Sequence, residues 1–197
     1  MLSDAQIEKN FAMFVNLCTK LGERSAAASA LVEAISARLA TAPASSRTQY
    51  HAAYPGGLVD HSLRVLNNAR KINETFKMGL TNESMIIACL FHDLGKAGDL
   101  DAEYYIQQDD AWRQNKLGEM YKINEAMQKM PNAERGLWLL QHFCVKLTID
   151  EWIAIRINDG QYVSENKYYA MHEPPLAVVV HMADRLACEQ EKEKKSV

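Results

Sequence analysis

Residues 85–96 read Met-Ile-Ile-Ala-Cys-Leu-Phe-His-Asp-Leu-Gly-Lys, and they indicate the fold class most directly. Its apolar residues run without a polar break up to His92 and Asp93. A helix that is apolar on every side is buried on every side, so we expect the central helix here, starting after Thr81 or Asn82. Burying an unpaired ionised carboxylate at its end costs several kcal/mol, so a positive charge is expected nearby.

Helical periodicity extends outward from this segment. Apolar residues recur every three or four positions over residues 7–21 and again over residues 31–39, which predicts two amphipathic helices. Residues 41–57 contain two prolines and two glycines and predict a loop. A further helix is predicted from residue 58 to about residue 76, with His61 on its apolar stripe.

The second half of the chain is predicted to be helical after one irregular excursion over residues 98–116. A helix over residues 132–143 follows it. Thr148 and Glu151 have the spacing of a capping box, and Gly160 is expected to cap the C-terminus of the helix that the box opens. No segment predicts a strand.

The last helix is predicted to open at Pro174 and Pro175 and to run to about residue 192. The charged residues 189–195 predict a solvated end for it.

These patterns predict an all-α fold, a single compact helical bundle. With 197 residues the chain suits one domain. We expect the N-terminal helices within residues 1–45 to pack on a core over residues 50–190 that carries the functional site.

Composition excludes some functions. The formal charge of −3 argues against a broad basic surface for duplex nucleic acid, but a local pocket for one nucleotide is compatible with it. The first residues lack the basic start and clean apolar run of a signal peptide, and no stretch has the length of a membrane span. We therefore expect a cytoplasmic protein without a membrane partner.

A second carboxylate repeats the situation of Asp93. Asp184 ends the apolar run of the last helix, and no lysine or arginine is spaced to serve both acids. His61 points inward on its helix, and His92 directly precedes Asp93. Neighbouring side chains diverge by roughly 100° on an ideal helix, so His92 and Asp93 can reach one ion only where neighbouring helices enclose this point. A shared divalent cation would compensate both acids.

Two imidazoles and two carboxylates suit particular metals. A mixed nitrogen and oxygen set favours Mn²⁺, Fe²⁺, Ni²⁺, Co²⁺ or Zn²⁺ over Ca²⁺, and Mg²⁺ is a further candidate. The sequence therefore predicts one divalent ion held by His61, His92, Asp93 and Asp184. Taken singly, an inward histidine is more often a satisfied core residue, so the combination carries the prediction.

Two further histidines are candidates for substrate binding. His51 lies in the loop before the glycine pair 56–57, where a contact with substrate and a structural contact are both open. His181 is three residues before Asp184 on the same helix face, so it is expected to line the pocket or to orient a ligand.

The order of these residues resembles a known family. His61, then His-Asp-Leu-Gly-Lys at 92–96, then His-Met-Ala-Asp at 181–184 resembles the HD-domain metal-dependent phosphohydrolase superfamily. Residues 51–61 are similar to the opening segment of the subgroup that includes 3′→5′ exoribonucleases, which stand-alone HD proteins of phages and bacteria share. The resemblance spans residues 50–190.

The resemblance implies an all-helical HD domain with the same four metal ligands. It also implies that Lys96 meets substrate phosphate. The alternative is that Lys96 is only a cation at a helix C-terminus, where it is favourably placed.

One departure bears on the number of metals. Members with two metals have further histidines between the His-Asp pair and the last aspartate. Here residues 116–121 and 157–160 supply none, although Asp159 could bind water or metal. A site for a single metal is therefore favoured.

The expected reaction is hydrolysis of a phosphoester of a nucleotide or deoxynucleotide by a metal-activated water. Asp93 and Lys96 are the expected catalytic residues; Asp93 is the nearest acceptor of the water's proton, and Lys96 neutralises charge on the phosphate. A 3′→5′ exonuclease acting on short single strands and a non-catalytic nucleotide-binding scaffold are the alternatives. The expected partner is a nucleotide or a short single-stranded nucleic acid, and the oligomeric state stays open.

Overall fold

The computed structural model describes residues 1–192, and its fold is all-α, as the sequence predicts. In chain order the elements are α1 (Asp4–Cys18), α2 (Ser25–Ala34), α3 (Ser36–Thr41), α4 (Gly57–Phe76), α5 (Asn82–Phe91), β1 (Tyr105–Gln107), α6 (Ala111–Leu117), β2 (Tyr121–Ile123), α7 (Asn132–His142), α8 (Ile149–Arg156) and α9 (Pro175–Glu191). Short 3₁₀ turns connect several of these helices.

Helix α5 is the central helix, and this prediction is confirmed. All residues from Met85 to Phe91 are buried. The Thr81 hydroxyl caps the N-terminus by accepting a hydrogen bond from the Ser84 N–H at 3.1 Å. Helices α4, α8 and α9 pack around α5, and α4 also packs along α9. Polar residues at the ends of α5 and on α4 and α9 can therefore meet inside the bundle.

The N-terminal helices contact this centre. Phe14 of α1 is fully buried and meets Phe91 of α5 edge to face, with ring centroids 5.9 Å apart. The prediction of a single helix over residues 31–39 is wrong, because two helices cover this range. The backbone of Ile35 leaves helical geometry (φ −114°, ψ 14°), and α2 and α3 meet there at a bend that leaves both Ile35 and Leu39 buried.

The excursion after α5 contains regular structure that the sequence does not predict. Strands β1 and β2 pair antiparallel, with Ile106 opposite Lys122. Helix α6 connects the two strands along the chain. The Asp110 carboxylate caps α6 by accepting from the N–H groups of Trp112 and Arg113 at 2.8 and 3.1 Å. Strands of three residues are too short to show an alternating pattern, which is why the prediction of no strand is wrong.

Helix α8 begins at the predicted capping box. The Thr148 hydroxyl accepts from the Glu151 N–H at 3.2 Å, and the Glu151 carboxylate accepts from the Thr148 N–H at 2.9 Å. The helix ends earlier than predicted, at Arg156, so the expectation that Gly160 caps it is wrong. Gly160, with φ of 70°, instead starts a 3₁₀ turn over Gly160–Tyr162.

Helix α9 opens at Pro175, close to the predicted start. Its predicted solvated end is wrong at Glu191, whose side chain is 1% exposed, although Glu189 is exposed. Residues 193–195 of that prediction lie outside the described part of the chain. Within residues 1–192, no helix combines the length and the apolar character needed to cross a membrane.

We predict that the ion pair between Arg24 and buried Glu151, 2.7 Å apart, contributes strongly to stability. Arg24→Met should lower the free energy of unfolding by about 3 kcal/mol, because it leaves a buried carboxylate without its counter-charge. Urea unfolding followed by circular dichroism measures this. As a control, Arg113→Met, at a half-exposed pair with Glu119, should cost less than about 1 kcal/mol.

The same pair predicts a pH dependence. Burial raises the pKa of Glu151, but the Arg24 side chain and the Thr148 N–H outweigh it and hold this pKa below its ordinary value. A carboxyl with a lowered pKa in the folded state stabilises the protein above its unfolded-state pKa and loses this effect as pH falls through the folded-state value. The difference between wild type and Arg24→Met should therefore shrink in acid; a difference that grows would contradict the prediction.

Candidate metal centre

Four side chains predicted as metal ligands meet where α4, α5 and α9 come together. His61 is on α4, Asp184 is on α9, and His92 and Asp93 follow the last residue of α5. The His61 Nε2 atom lies 2.9 Å from Asp184 Oδ1, and the His92 Nε2 atom lies 3.8 Å from the same oxygen. One potential ligand atom from each of His61, His92 and Asp184 lies within 4.8 Å of the others.

Asp93 reaches the same point because the helix ends before it. Its backbone has φ −109° and ψ 13°, so His92 and Asp93 do not diverge as they would within a regular helix. Asp93 Oδ2 lies 3.4 Å from His92 Nε2 and 3.9 Å from His61 Nε2. The structure thus brings together all four predicted ligands.

Lys96 lies in the 3₁₀ turn Leu94–Ala97, and its ammonium group contacts Asp93 Oδ2 at 2.6 Å. It therefore supplies a positive charge to one of the two buried acids. Gly95 allows this turn to pack closely against α7, since a Cβ atom at this position would clash with the carbonyl of Asn132. The turn that carries Lys96 is held in place by backbone packing.

The hydrogen bonds of the two histidines fix which ring nitrogen carries the proton. His92 Nδ1 lies 2.9 Å from the carbonyl oxygen of Cys89, and His61 Nδ1 lies 3.0 Å from a carboxylate oxygen of Glu191. Both oxygens can only accept, so each Nδ1 donates, and in the neutral ring each Nε2 presents a lone pair. The Nε2 atoms of both rings therefore face the two aspartates.

Both Nε2 atoms are buried and have no hydrogen-bond partner among residues 1–192. The His61 Nε2 atom is close to Asp184 Oδ1, but the pair lacks the alignment of a hydrogen bond. Buried polar atoms are rarely left unsatisfied without a functional reason. Two such nitrogens beside two carboxylates fit a divalent cation, which would satisfy all four groups together.

Electrostatics at this point favour a cation. Burial opposes the charged form of His61, but the carboxylates of Asp184 and Glu191 raise its pKa to about 9, so without an ion Nε2 binds a proton in the place that a metal ion would take. Burial likewise opposes the ionisation of Asp184, yet the two histidines lower its pKa to about 2. The Lys96 ammonium and His92 hold the pKa of Asp93 well below its ordinary value despite burial. Both acids are therefore ionised at neutral pH.

Glu191 is a site residue that the sequence analysis missed. Its carboxylate binds His61 Nδ1 on one side and lies 3.0 Å from Arg64 Nε on the other. It follows Asp184 by seven residues, which is about two helical turns, so both lie on one face of α9. This spacing was the available signal, but the surrounding charged residues indicated a solvated tail.

A cavity of ≈ 410 Å³ opens beside Asp184. Lys96, His51 and His181 line it, so the structure brings the three predicted substrate-binding residues to one space. His51 Nε2 is buried without a hydrogen-bond partner in the described part of the chain, and its ring centroid lies 4.7 Å from that of His61. The Ser45 hydroxyl holds this loop by donating to the His51 carbonyl at 2.6 Å.

His181 also contributes to the positioning of His92. Its Nδ1 lies 2.8 Å from the Asn158 carbonyl oxygen, and the Asn158 amide donates to the His92 carbonyl at 2.6 Å. Asp159, the next residue, lines the same cavity. Burial of the side chain and the negative charge of Asp93 raise the pKa of Asp159, so this carboxyl binds its proton more readily than an ordinary aspartate.

Comparison with known proteins gives one match. The profile of the HD domain matches residues 58–188, a range that includes all four predicted ligands and ends before Glu191. Searches of curated proteins and of solved structures found no match. The subgroup resemblance of residues 51–61 is not supported by a further match.

We predict that Glu191 positions His61 for metal binding. Glu191→Ala should weaken Mn²⁺ affinity 10- to 100-fold, because the ring loses the acceptor that fixes its orientation and tautomer. Glu191→Gln, whose amide oxygen can still accept from Nδ1, should restore part of the affinity. Isothermal titration with Mn²⁺ measures these changes.

Glu189→Ala is the matched control, since this exposed carboxylate lies on the same helix and pairs with Lys192. Its Mn²⁺ affinity should stay within about twofold of wild type, as expected for an exposed pair. Equal affinities for wild type and Glu191→Ala would contradict the positioning role. A loss that parallels a loss of helix content in circular dichroism would do the same.

Proposed function

Because the chain belongs to the HD domain family, whose members are generally hydrolases, we propose that it is a metal-dependent phosphohydrolase acting on a phosphoester of a nucleotide or deoxynucleotide. The observation that supports this most strongly is that the buried Nε2 atoms of His61 and His92 face two carboxylates and have no hydrogen-bond partner within residues 1–192.

His61, His92, Asp93 and Asp184 are the proposed ligands of one divalent ion. HD domains bind divalent metals, and this donor set suits Mn²⁺, Fe²⁺, Co²⁺, Ni²⁺ or Zn²⁺, with Mg²⁺ as a further candidate. Four protein donors leave room for water and substrate around an ion that prefers six ligands. A divalent ion in such a site lowers the pKa of a water ligand and polarises a phosphoryl oxygen.

The residues around the cavity have roles that follow from their positions. Lys96 lines the cavity and brings a positive charge to the substrate phosphate, where negative charge gathers during hydrolysis. His51 offers its Nε2, which has no hydrogen-bond partner among the described residues 1–192, to a phosphate oxygen or a water. Asp93 stays ionised beside Lys96 and is the nearest acceptor for the proton of the attacking water. Asp159 supplies a second carboxyl in the same space.

A mononucleotide is the proposed substrate because the cavity is small. Its volume of ≈ 410 Å³ matches a small ligand, and the net charge of −3 does not favour a long polyanion. Cleavage of the 3′ end of a short single strand would present the same phosphoester chemistry to the same residues. The assays below distinguish a mononucleotide substrate from a short single strand.

The test is release of phosphate or nucleoside from a panel of ribo- and deoxynucleotides with Mn²⁺, measured beside shortening of an end-labelled oligonucleotide. Turnover of nucleotides that stops with a chelator and returns with metal supports the proposal. Shortening of the oligonucleotide alone would replace it with the exonuclease. Nucleotide binding without product in either assay would indicate a non-catalytic scaffold.

We predict that Asp93→Ala removes both metal and activity. The variant should lose stoichiometric Mn²⁺ and lower kcat by at least about 1000-fold, because the site loses a charged ligand, while helix content stays near wild type. Elemental analysis and the nucleotide assay measure the two effects. Asp101→Ala, at an exposed aspartate in the following loop, is the control and should keep both. Equal metal content in Asp93→Ala and wild type would eliminate the assignment.

Lys96→Ala should separate substrate handling from metal binding. We expect kcat/KM to fall about 100-fold, as for loss of one group that stabilises transition-state charge. Metal content should not fall, because removing the Lys96 ammonium leaves the Asp93 carboxylate free of a competing cation and able to bind the metal ion. Lys116→Ala, at an exposed lysine of α6, should match wild type. Loss of metal in Lys96→Ala would reassign Lys96 to a structural role.

A further inference from the structure

A second cavity, of ≈ 540 Å³, lies next to the cavity at Asp184. It lies between α9 and the 3₁₀ turns Gly160–Tyr162 and Ser164–Tyr169. Tyr162 and His181 line both cavities, so the two spaces adjoin along these two side chains. A molecule with one end against Lys96 can therefore extend past His181 into the second space.

The walls of this second cavity have the character of a site for a flat, partly polar ring. Ile157, Ala177, Val178 and Met182 supply apolar surface. Gln161 and Glu173 bring an amide and a carboxylate to the same space and are joined by a hydrogen bond of 2.5 Å from Gln161 Nε2. An apolar slot with a few polar groups is the usual composition of a small-ligand site.

Tyr162 lies at the junction and is 89% exposed. A large aromatic side chain on the surface at a cavity rim provides a face on which a base can stack. Tyr168, a few residues later and 88% exposed, lines neither cavity. The chain thus contains two equally exposed tyrosines that differ in their position relative to the site.

We propose that the second cavity binds the nucleobase of a mononucleotide substrate, which stacks on Tyr162, while the phosphate lies against Lys96 in the first cavity. This rests on the proposed phosphohydrolase function. The proposal follows from the adjoining spaces: the phosphate that reacts with water lies beside the four metal ligands, and the rest of the nucleotide can extend along Tyr162 and His181 into the second cavity. His181 separates the two spaces and positions the sugar between them.

The first experiment compares substrates with and without a base. For wild type with Mn²⁺, kcat/KM for the best nucleoside monophosphate of the panel should exceed that for ribose 5-phosphate by at least about tenfold, as one stacked base provides. In Tyr162→Ala this ratio should fall about tenfold, through a higher KM for the nucleotide. Tyr168→Ala should keep the wild-type ratio. An unchanged ratio in Tyr162→Ala would overturn the proposal.

The second experiment does not depend on turnover. Adenosine, guanosine, cytidine and uridine, which lack phosphate, are titrated into ¹⁵N-labelled full-length protein. Amide shifts should map to Gly160, Tyr162 and Met182, and they should weaken at least about fivefold in Tyr162→Ala but not in Tyr168→Ala. Shifts that map elsewhere, or none at all for any nucleoside, would overturn the base site.

The two failures are distinguishable. If no substrate yields metal-dependent phosphate but nucleosides shift the predicted amides, the proposed hydrolase fails and the base site stands. If ribose 5-phosphate and the nucleotides are cleaved equally well by wild type, the hydrolase stands and the base site fails.

Discussion

Two imidazoles and two carboxylates face one another inside a helical bundle, where the packing of α4, α5 and α9 brings them together. His61 and His92 are almost fully buried, and each has its second nitrogen tied to an acceptor, so neither Nε2 can turn away. Like charges so close together are stable only with a compensating cation. Lys96 supplies a positive charge to Asp93, and a proton on His61 can do so for Asp184; the proposed ion would replace that proton and serve all four groups together.

The ligands lie on three helices, and the sequence specifies these helices well. The apolar run of α5, the stripe of α4 and the proline start of α9 each predict an element within one or two residues of its observed bounds. The convergence of His61, Asp93 and Asp184 was predictable for the same reason, since a buried acid at the end of an apolar helix needs a partner of opposite charge.

The parts that could not be predicted depend on contacts between distant segments. The strand pair β1–β2 is too short to leave a pattern, and the bend at Ile35 follows from packing on both sides of it. Glu191 lies in a run of charged residues that predicts a solvated helix end, yet its carboxylate is buried because it binds His61 and Arg64. Tyr162 gains its position only once the turn at Gly160 meets α9.

Anomalous diffraction at the manganese edge from crystals grown with Mn²⁺ would locate the ion itself. If the lone pairs and carboxylates hold it, one strong peak should lie about 2.0–2.3 Å from His61 Nε2, His92 Nε2 and an oxygen of each of Asp93 and Asp184. A peak bound at other side chains, or full occupancy of manganese elsewhere with this cluster bare, would contradict that explanation of the buried histidines.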